Sequence, residues 1–234
     1  MITSVHNEHL KEVRRLARRR GRERTGAFVA EGEDLLAAAD AAGWTARERY
    51  AAAGSGLEGV EVDPEVLARV SALGSGTRTL AVYEERWSAP RGPLCVHLHA
   101  VADPGNVGAV LRAALAFGAA SVALGPGCAD PFGPRAVRAS MGAIFSVPVA
   151  RVDGPAGLPG ERVALVPRGG EALRGPAAGE ATLVVGAERD GLPAEVAAAC
   201  DRIAHIPIET ESLNAAMAAT VALYELTRHR MADA

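Results

Sequence analysis

Three stretches of the sequence set chemically competent side chains beside glycine, each just after a short apolar run. The first is Asp103-Pro104-Gly105-Asn106-Val107-Gly108, which opens a helix with Val107, Val110, Leu111, Ala114 and Phe117 on one stripe. Arg112 falls on the opposite side, beside Gly108, Ala109, Leu115 and Ala116, and is the only charge on that helix. Small apolar neighbours place Arg112 in a cleft or an interface, where it needs an anion, either a protein carboxylate or a substrate phosphate. Gly105 and Gly108 allow a tight turn and close approach to a helix N-terminus, although a plain turn explains them equally well.

The second stretch is Gly186-Ala187-Glu188-Arg189-Asp190-Gly191-Leu192. Glu188 is suited to hold a basic or amino group; the bland reading is a surface turn acid. The third runs from Ile206-Pro207-Ile208 through Glu209-Thr210-Glu211 to Ser212-Leu213-Asn214. Ser212 reads as the N-cap of a final helix that is apolar on nearly every side, and so buried in the core or against a second subunit. An amide at Asn214 then needs partners from protein or ligand.

These stretches lie where an α/β sheet would position them. From Leu94 onward the chain alternates apolar strands (near 94–101, 121–124, 147–149, 162–166, 182–185 and 202–206) with helical segments. That pattern predicts a mainly parallel sheet with helices on both faces, and ligands beyond the carboxyl ends of its strands. Residues 1–88 read as a separate small α/β unit: a helix over 8–20, a strand over 27–30, a helix over 33–42, and a helix capped by Asp63 with Pro64 behind it. A strand over 79–83 closes it, and the polar, proline-rich stretch 84–93 reads as a linker to a second domain, 89–234.

The net charge of −3 predicts no general affinity for nucleic acid, yet the cations are unevenly spread. Lys11 is the only lysine among 25 basic residues, and Lys11, Arg14, Arg15, Arg18, Arg19, Arg20, Arg22 and Arg24 are opposed locally only by Glu12 and Glu23. On one helix Arg14, Arg18 and Arg22 form a basic stripe, which is a solvated face or a phosphate contact. We expect Lys11, Arg14, Arg15, Arg18, Arg19 and Arg22 to touch RNA. The hydrophobic fraction of 49% describes a globular chain, no apolar run is long enough to span a bilayer, and the N-terminus lacks a secretory signal. Cys95, Cys128 and Cys200 stand apart, which predicts a reduced, cytoplasmic protein. His97 and His99 lack a third ligand at metal spacing, so no metal is expected, and a single lysine leaves no phosphate-loop motif.

At the three glycine-flanked stretches the sequence resembles the SpoU/TrmH family of RNA ribose 2′-O-methyltransferases, within the SPOUT superfamily. The first motif continues through Asp130-Pro131 to Arg138-Ala139-Ser140-Met141-Gly142-Ala143. The N-terminal half is more loosely similar to the small RNA-binding domain of many members, through Ile2-Thr3-Ser4, the basic helix and Phe28-Val29-Ala30-Glu31-Gly32. The resemblance implies an α/β sheet with a C-terminal trefoil knot, S-adenosyl-L-methionine as cofactor, an active site built across a homodimer, and ribosomal RNA as substrate. It implies functional roles for Asn106, Arg112, Glu188, Ser212 and Asn214. Cofactor contacts then fall at Val166, Pro167, Gly186, Ala187, Glu188, Gly191, Ile206, Ile208, Leu213 and Asn214. A tRNA substrate, or a non-catalytic RNA-binding role, is the alternative. Two departures stand out: only Glu209-Thr210-Glu211 separates the Ile-Pro and Ser-Leu-Asn elements, without the family's glycine, and Ala187 occupies a position that is often Asn.

Overall fold

A computed structural model describes residues 1–73 and 76–228. In the N-terminal part, helices α1 (Glu8–Leu16), α2 (Arg19–Thr25), α3 (Glu33–Ala41) and α4 (Pro64–Val70) surround strands β1 (Ala27–Glu31), β2 (Glu48–Ala52), β3 (Val60–Val62) and β4 (Thr79–Glu84). The strands lie in the order β1-β4-β2-β3. Asp63 caps α4 as its sequence suggests, accepting from the backbone N–H groups of Glu65 and Val66.

The C-terminal part contains β5 (Leu94–Leu98), α5 (Pro104–Ala116), β6 (Ser121–Leu124), α6 (Pro134–Ala139), β7 (Val149–Arg151), β8 (Glu161–Leu165) and β9 (Glu171–Ala172). It ends with β10 (Ala181–Val185), α7 (Ala194–Ala198), β11 (Arg202–His205) and α8 (Ala215–Thr227). The sheet order is β7-β6-β5-β10-β8-β11-β9, with every pair parallel. The expected parallel sheet is therefore present, and the expected strands shift by a few residues. One face differs from expectation. Cys95, Ala123 and Ala150 are covered by Leu158 and Val152, which lie outside any helix.

Two other expectations are corrected. The single helix over 8–20 breaks after Leu16, because Arg18 is extended (φ −101°, ψ 138°) and α2 folds back on α1. Gly21 permits that close return: a Cβ there would stand 2.0 Å from the Arg15 carbonyl oxygen. The basic stripe is broken with it. The stretch 84–93 is also not a free linker. The Ser88 N–H donates to the Val149 carbonyl at 2.8 Å, and Arg86 stacks 4.0 Å over the Trp44 ring. One apolar core runs through both parts, joining Phe28 to Phe132 (ring centroids 4.9 Å apart) and Trp44 to Phe145 (5.2 Å).

His97 lies at the centre of the larger sheet, paired across to Ala123 and Val184. It is completely buried and neither ring nitrogen has a hydrogen-bond partner. Burial, reinforced by the nearby His99, pushes its pKa down to about 4 from 6.5. The unfolded chain therefore binds the extra proton first, and stability falls as pH drops from 6.5 toward 4. That shift corresponds to about 3 kcal/mol. Urea unfolding between pH 7.5 and 4.5 should show the decline, and His97→Leu should flatten it; an equally steep decline in the variant would assign the acid sensitivity elsewhere.

Candidate active site

The loops after β5, β8, β10 and β11 meet at one end of the sheet, as expected of carboxyl-terminal strand ends. Between them lies a slot with about 640 Å³ of empty space, its open mouth included. Leu165, Val166, Pro167, Ile206, Ile208 and Leu213 supply apolar walls, and Glu188, Arg189 and Ser212 a polar rim. Gly186 and Gly191 form the tightest part of the wall. A Cβ on Gly186 would lie 2.2 Å from the carbonyl carbon of Gly191. Ala187 and Gly191 exchange both backbone hydrogen bonds, at 3.1 and 3.0 Å, which fixes this turn.

The polar residues named from sequence meet at the mouth. Asp103 caps α5 by accepting from the Asn106 N–H at 3.0 Å, which holds Asn106 on the first turn. The Asn106 amide donates to Glu188 Oε1 at 2.7 Å. Asn214 Nδ2 donates in turn to Asn106 Oδ1 at 3.0 Å. Glu188 thus holds an amide, where sequence suggested a basic or amino group. Ser212 is not the cap of α8. Asn214 is, because its Oδ1 accepts from Ala216 N and Met217 N while Leu213 still lines the slot. Asn214 thus orients Asn106 and sets the start of α8, and it is not among the residues that line the slot. The other nine residues expected to touch cofactor all do line it.

Of the two expected settings for Arg112, a cleft or an interface, the cleft is absent within its own protomer. Arg112 is exposed, and no hydrogen bond or ion pair to it occurs among the described residues. Six positions along α5 from Asn106, it points about 120° away around the helix axis. Leu115 on α5 and Met217, Val221 and Tyr224 on α8 are likewise exposed. The two helices touch through Phe117 and Tyr224, whose rings are 6.2 Å apart.

The expected RNA contacts divide. Arg14, Arg15 and Arg18 are exposed and line an open depression with about 1030 Å³ of empty space, its open mouth included, together with Lys11 and with Arg20 and Arg24, which lie outside the expected set. Arg19 is exposed but pairs with Glu23 at 2.8 Å. Arg22 does not belong to the set. It is buried and ion-paired to Asp130, which no helical periodicity could announce because its partner lies 108 residues away. Arg189 at the slot rim was also passed over, although its place beside Glu188 was the available signal.

The model of the SpoU rRNA methylase family matches residues 93–224, the segment that builds this slot. The chain belongs to that family. An MRM3-like substrate-binding domain matches residues 7–81. RlmP of Bacillus subtilis (strain 168), a 23S rRNA (guanosine(2553)-2′-O)-methyltransferase, is 28% identical over 96% of this chain and 98% of its own length. An AdoMet-bound rRNA methyltransferase from Sinorhizobium meliloti shares the fold at TM-score 0.87 and 30% identity, covering 97% of each chain. The SpoU methyltransferase AviRb from Streptomyces viridochromogenes, also solved with AdoMet, matches at TM-score 0.84 and 26% identity, over 97% of this chain and 99% of its own. Among the described residues no helix is long and apolar enough to cross a membrane, and no cluster of three metal-ligating side chains occurs.

Proposed function

We propose that the protein methylates a ribose 2′-hydroxyl in ribosomal RNA, using S-adenosyl-L-methionine, and works as a homodimer in the cytoplasm. The observation that carries this reading is the Asn214–Asn106–Glu188 hydrogen-bond chain across the mouth of a glycine-walled slot. The slot suits an adenosyl group: its walls are apolar, its rim is polar, and at Gly186 backbone comes as close as only glycine allows. When bound, the cofactor supplies an electrophilic methyl group on a sulfonium.

The chain's own residues then have separable tasks. Val166, Pro167, Gly186, Ala187, Gly191, Ile206, Ile208 and Leu213 hold the cofactor by shape, and Glu188 and Asn106 orient polar groups at the mouth. As the new O–CH3 bond forms and the S–CH3 bond breaks, the ribose hydroxyl would give its proton to solvent water at the open mouth of the slot. A guanidinium does not deprotonate in proteins, so Arg112 acts by holding the target phosphate and stabilising the developing alkoxide. Ser212, which lines the slot, hydrogen-bonds the incoming ribose in this reading.

Arg112 lies about 120° around α5 from Asn106, and Leu115 on that helix and Met217, Val221 and Tyr224 on α8 are exposed. An exposed apolar face of this kind favours pairing α5 and α8 with a second copy, which brings the partner subunit's Arg112 to each slot. The trefoil knot belongs to the same reading. It rests on the likeness of residues 93–224 to the SpoU family. The domains proposed are 1–88 for RNA binding and 89–234 for catalysis.

The test is transfer of labelled methyl from S-adenosyl-L-methionine to purified ribosomal RNA, followed by mapping of 2′-O-methyl nucleotides. One modified position in large-subunit RNA is expected. Cofactor binding without transfer to ribosomal RNA, alongside efficient transfer to tRNA, would move the substrate assignment.

A further inference from the structure

Arg22 is the one arginine of the N-terminal run withdrawn from water, with only 4% of its surface exposed. Its Nε and Nη2 both donate to Asp130 Oδ2, at 2.9 and 2.7 Å, and its Nη1 donates to the Leu16 carbonyl at 2.8 Å. Asp130 Oδ1 accepts from the Phe132 N–H at 2.9 Å. Arg22 thus joins the α1–α2 corner to the loop between β6 and α6 through a fixed set of hydrogen bonds.

What the pair connects is more telling than its burial. On one side, the α1–α2 corner carries the cationic depression of Lys11, Arg14, Arg15, Arg18, Arg20 and Arg24. Of these, only Lys11 has an ionic partner among the described residues, Glu8. On the other side, the Asp130 loop leads into α6, which packs so closely on α5 that a Cβ on Gly108 would stand 2.4 Å from the Ala136 carbonyl oxygen. Helix α5 carries Asn106 at its first turn. A short chain of rigid contacts therefore runs from phosphate-binding cations to the active-site amide.

A buried ion pair adds little net stability over an apolar pair of similar shape, so stability gives a weak reason for charge here. Direction gives a better one. The apolar contact of Phe28 and Trp44 with Phe132 and Phe145 holds the two parts together without fixing rotation finely, whereas a guanidinium with all three nitrogens bound, Nε and Nη2 to the single oxygen Asp130 Oδ2 and Nη1 to the Leu16 carbonyl, fixes it in direction. We propose that Arg22 and Asp130 are positioning residues for methyl transfer: they hold the cationic depression at a set distance from the Asn106–Glu188 cluster. RNA whose phosphates occupy the depression then presents its target ribose at the slot. This rests on the RNA-methylation reading above.

The experiment compares the parent protein, Arg22→Met/Asp130→Leu and Arg22→Lys, using a large-subunit ribosomal RNA transcript and saturating S-adenosyl-L-methionine. The double variant should keep its melting temperature and cofactor affinity, and bind the transcript within about twofold of the parent, since the exposed cations are untouched. Its single-turnover transfer rate should fall roughly tenfold to a hundredfold, because misplacement by about an ångström is enough to do so. Arg22→Lys keeps the charge and the fold but loses the guanidinium, and should lie between. An unchanged rate in both variants overturns the proposal. So does a fall in rate matched by equal losses of RNA and cofactor binding, which marks a merely structural role. A parent that binds the transcript and methylates nothing defeats the methylation reading and this proposal together, and is distinguishable from an active parent with equally active variants.

Discussion

Arg112→Lys lowers the single-turnover methylation rate by roughly a hundredfold while leaving cofactor affinity and melting temperature near parental values. The stability half of that expectation follows from exposure: no partner among the described residues loses a bond. The rate half follows from shape. A guanidinium offers two parallel donors to a phosphate and charge spread over a plane, and lysine offers one compact ammonium. If Arg112 acted only as a diffuse positive charge, lysine would restore most of the rate. Near-normal activity in the variant would therefore remove the fork from the mechanism. The position of Arg112 also makes the result sensitive to assembly. On the proposed dimer, mixing Arg112→Lys subunits with subunits disabled at the slot by Glu188→Gln should restore a fraction of activity, because each mixed pair would join an intact slot with an intact arginine; no recovery would count against the shared site.

Gly186→Ala is the second large effect, and it is expected to abolish cofactor binding at concentrations that saturate the parent. The added methyl would meet Gly191 C at 2.2 Å, its O at 2.3 Å and Leu192 N at 2.5 Å. These are backbone atoms in a turn closed by paired hydrogen bonds between Ala187 and Gly191, so they cannot swing aside as a flexible side chain would. Overpacking of this kind costs about 1–3 kcal/mol and reshapes the wall. Calorimetry with S-adenosyl-L-methionine and a thermal melt read the two consequences separately. Gly179→Ala is the control, since no atom lies within 4 Å of its Cβ position and its φ is ordinary. Parental affinity in Gly186→Ala would show that the turn opens cheaply and that Gly186 is not what shapes the slot.

Much of the site was legible because its signals are local. Asp103 and Pro104 announce a helix start, and the amide three residues into that motif sits where a capped first turn must place it. Strands β5, β6 and β10 were readable from short apolar runs, since strands buried on both faces need no alternation. The failures share one cause. Arg22 continues the spacing of Arg14 and Arg18, yet an extended Arg18 breaks the helix and a distant carboxylate draws Arg22 inside. Ser212 has the right chemistry for a cap, but Asn214, two residues on, takes the place because the chain stays extended long enough for Leu213 to reach the slot. The stretch 84–93 has linker composition, yet Trp87 and Arg86 pack it against both sheets.

The amino-acid sequence by itself determined the alternating α/β plan, the three glycine-flanked loops and the chemical types that could stand in them. Those follow from propensities, capping and hydrophobic spacing, which act over a few residues. Tertiary structure alone decided that Asn106, Glu188 and Asn214 form one hydrogen-bonded chain and that Arg22 ties the cationic corner to Asp130. Each of these depends on groups brought together across 80 to 110 positions of chain, as the 82- and 108-residue separations of the active-site bonds show. Hydrogen bonds and ion pairs are short-ranged and directional, so no local pattern encodes their partners; packing of the sheets does.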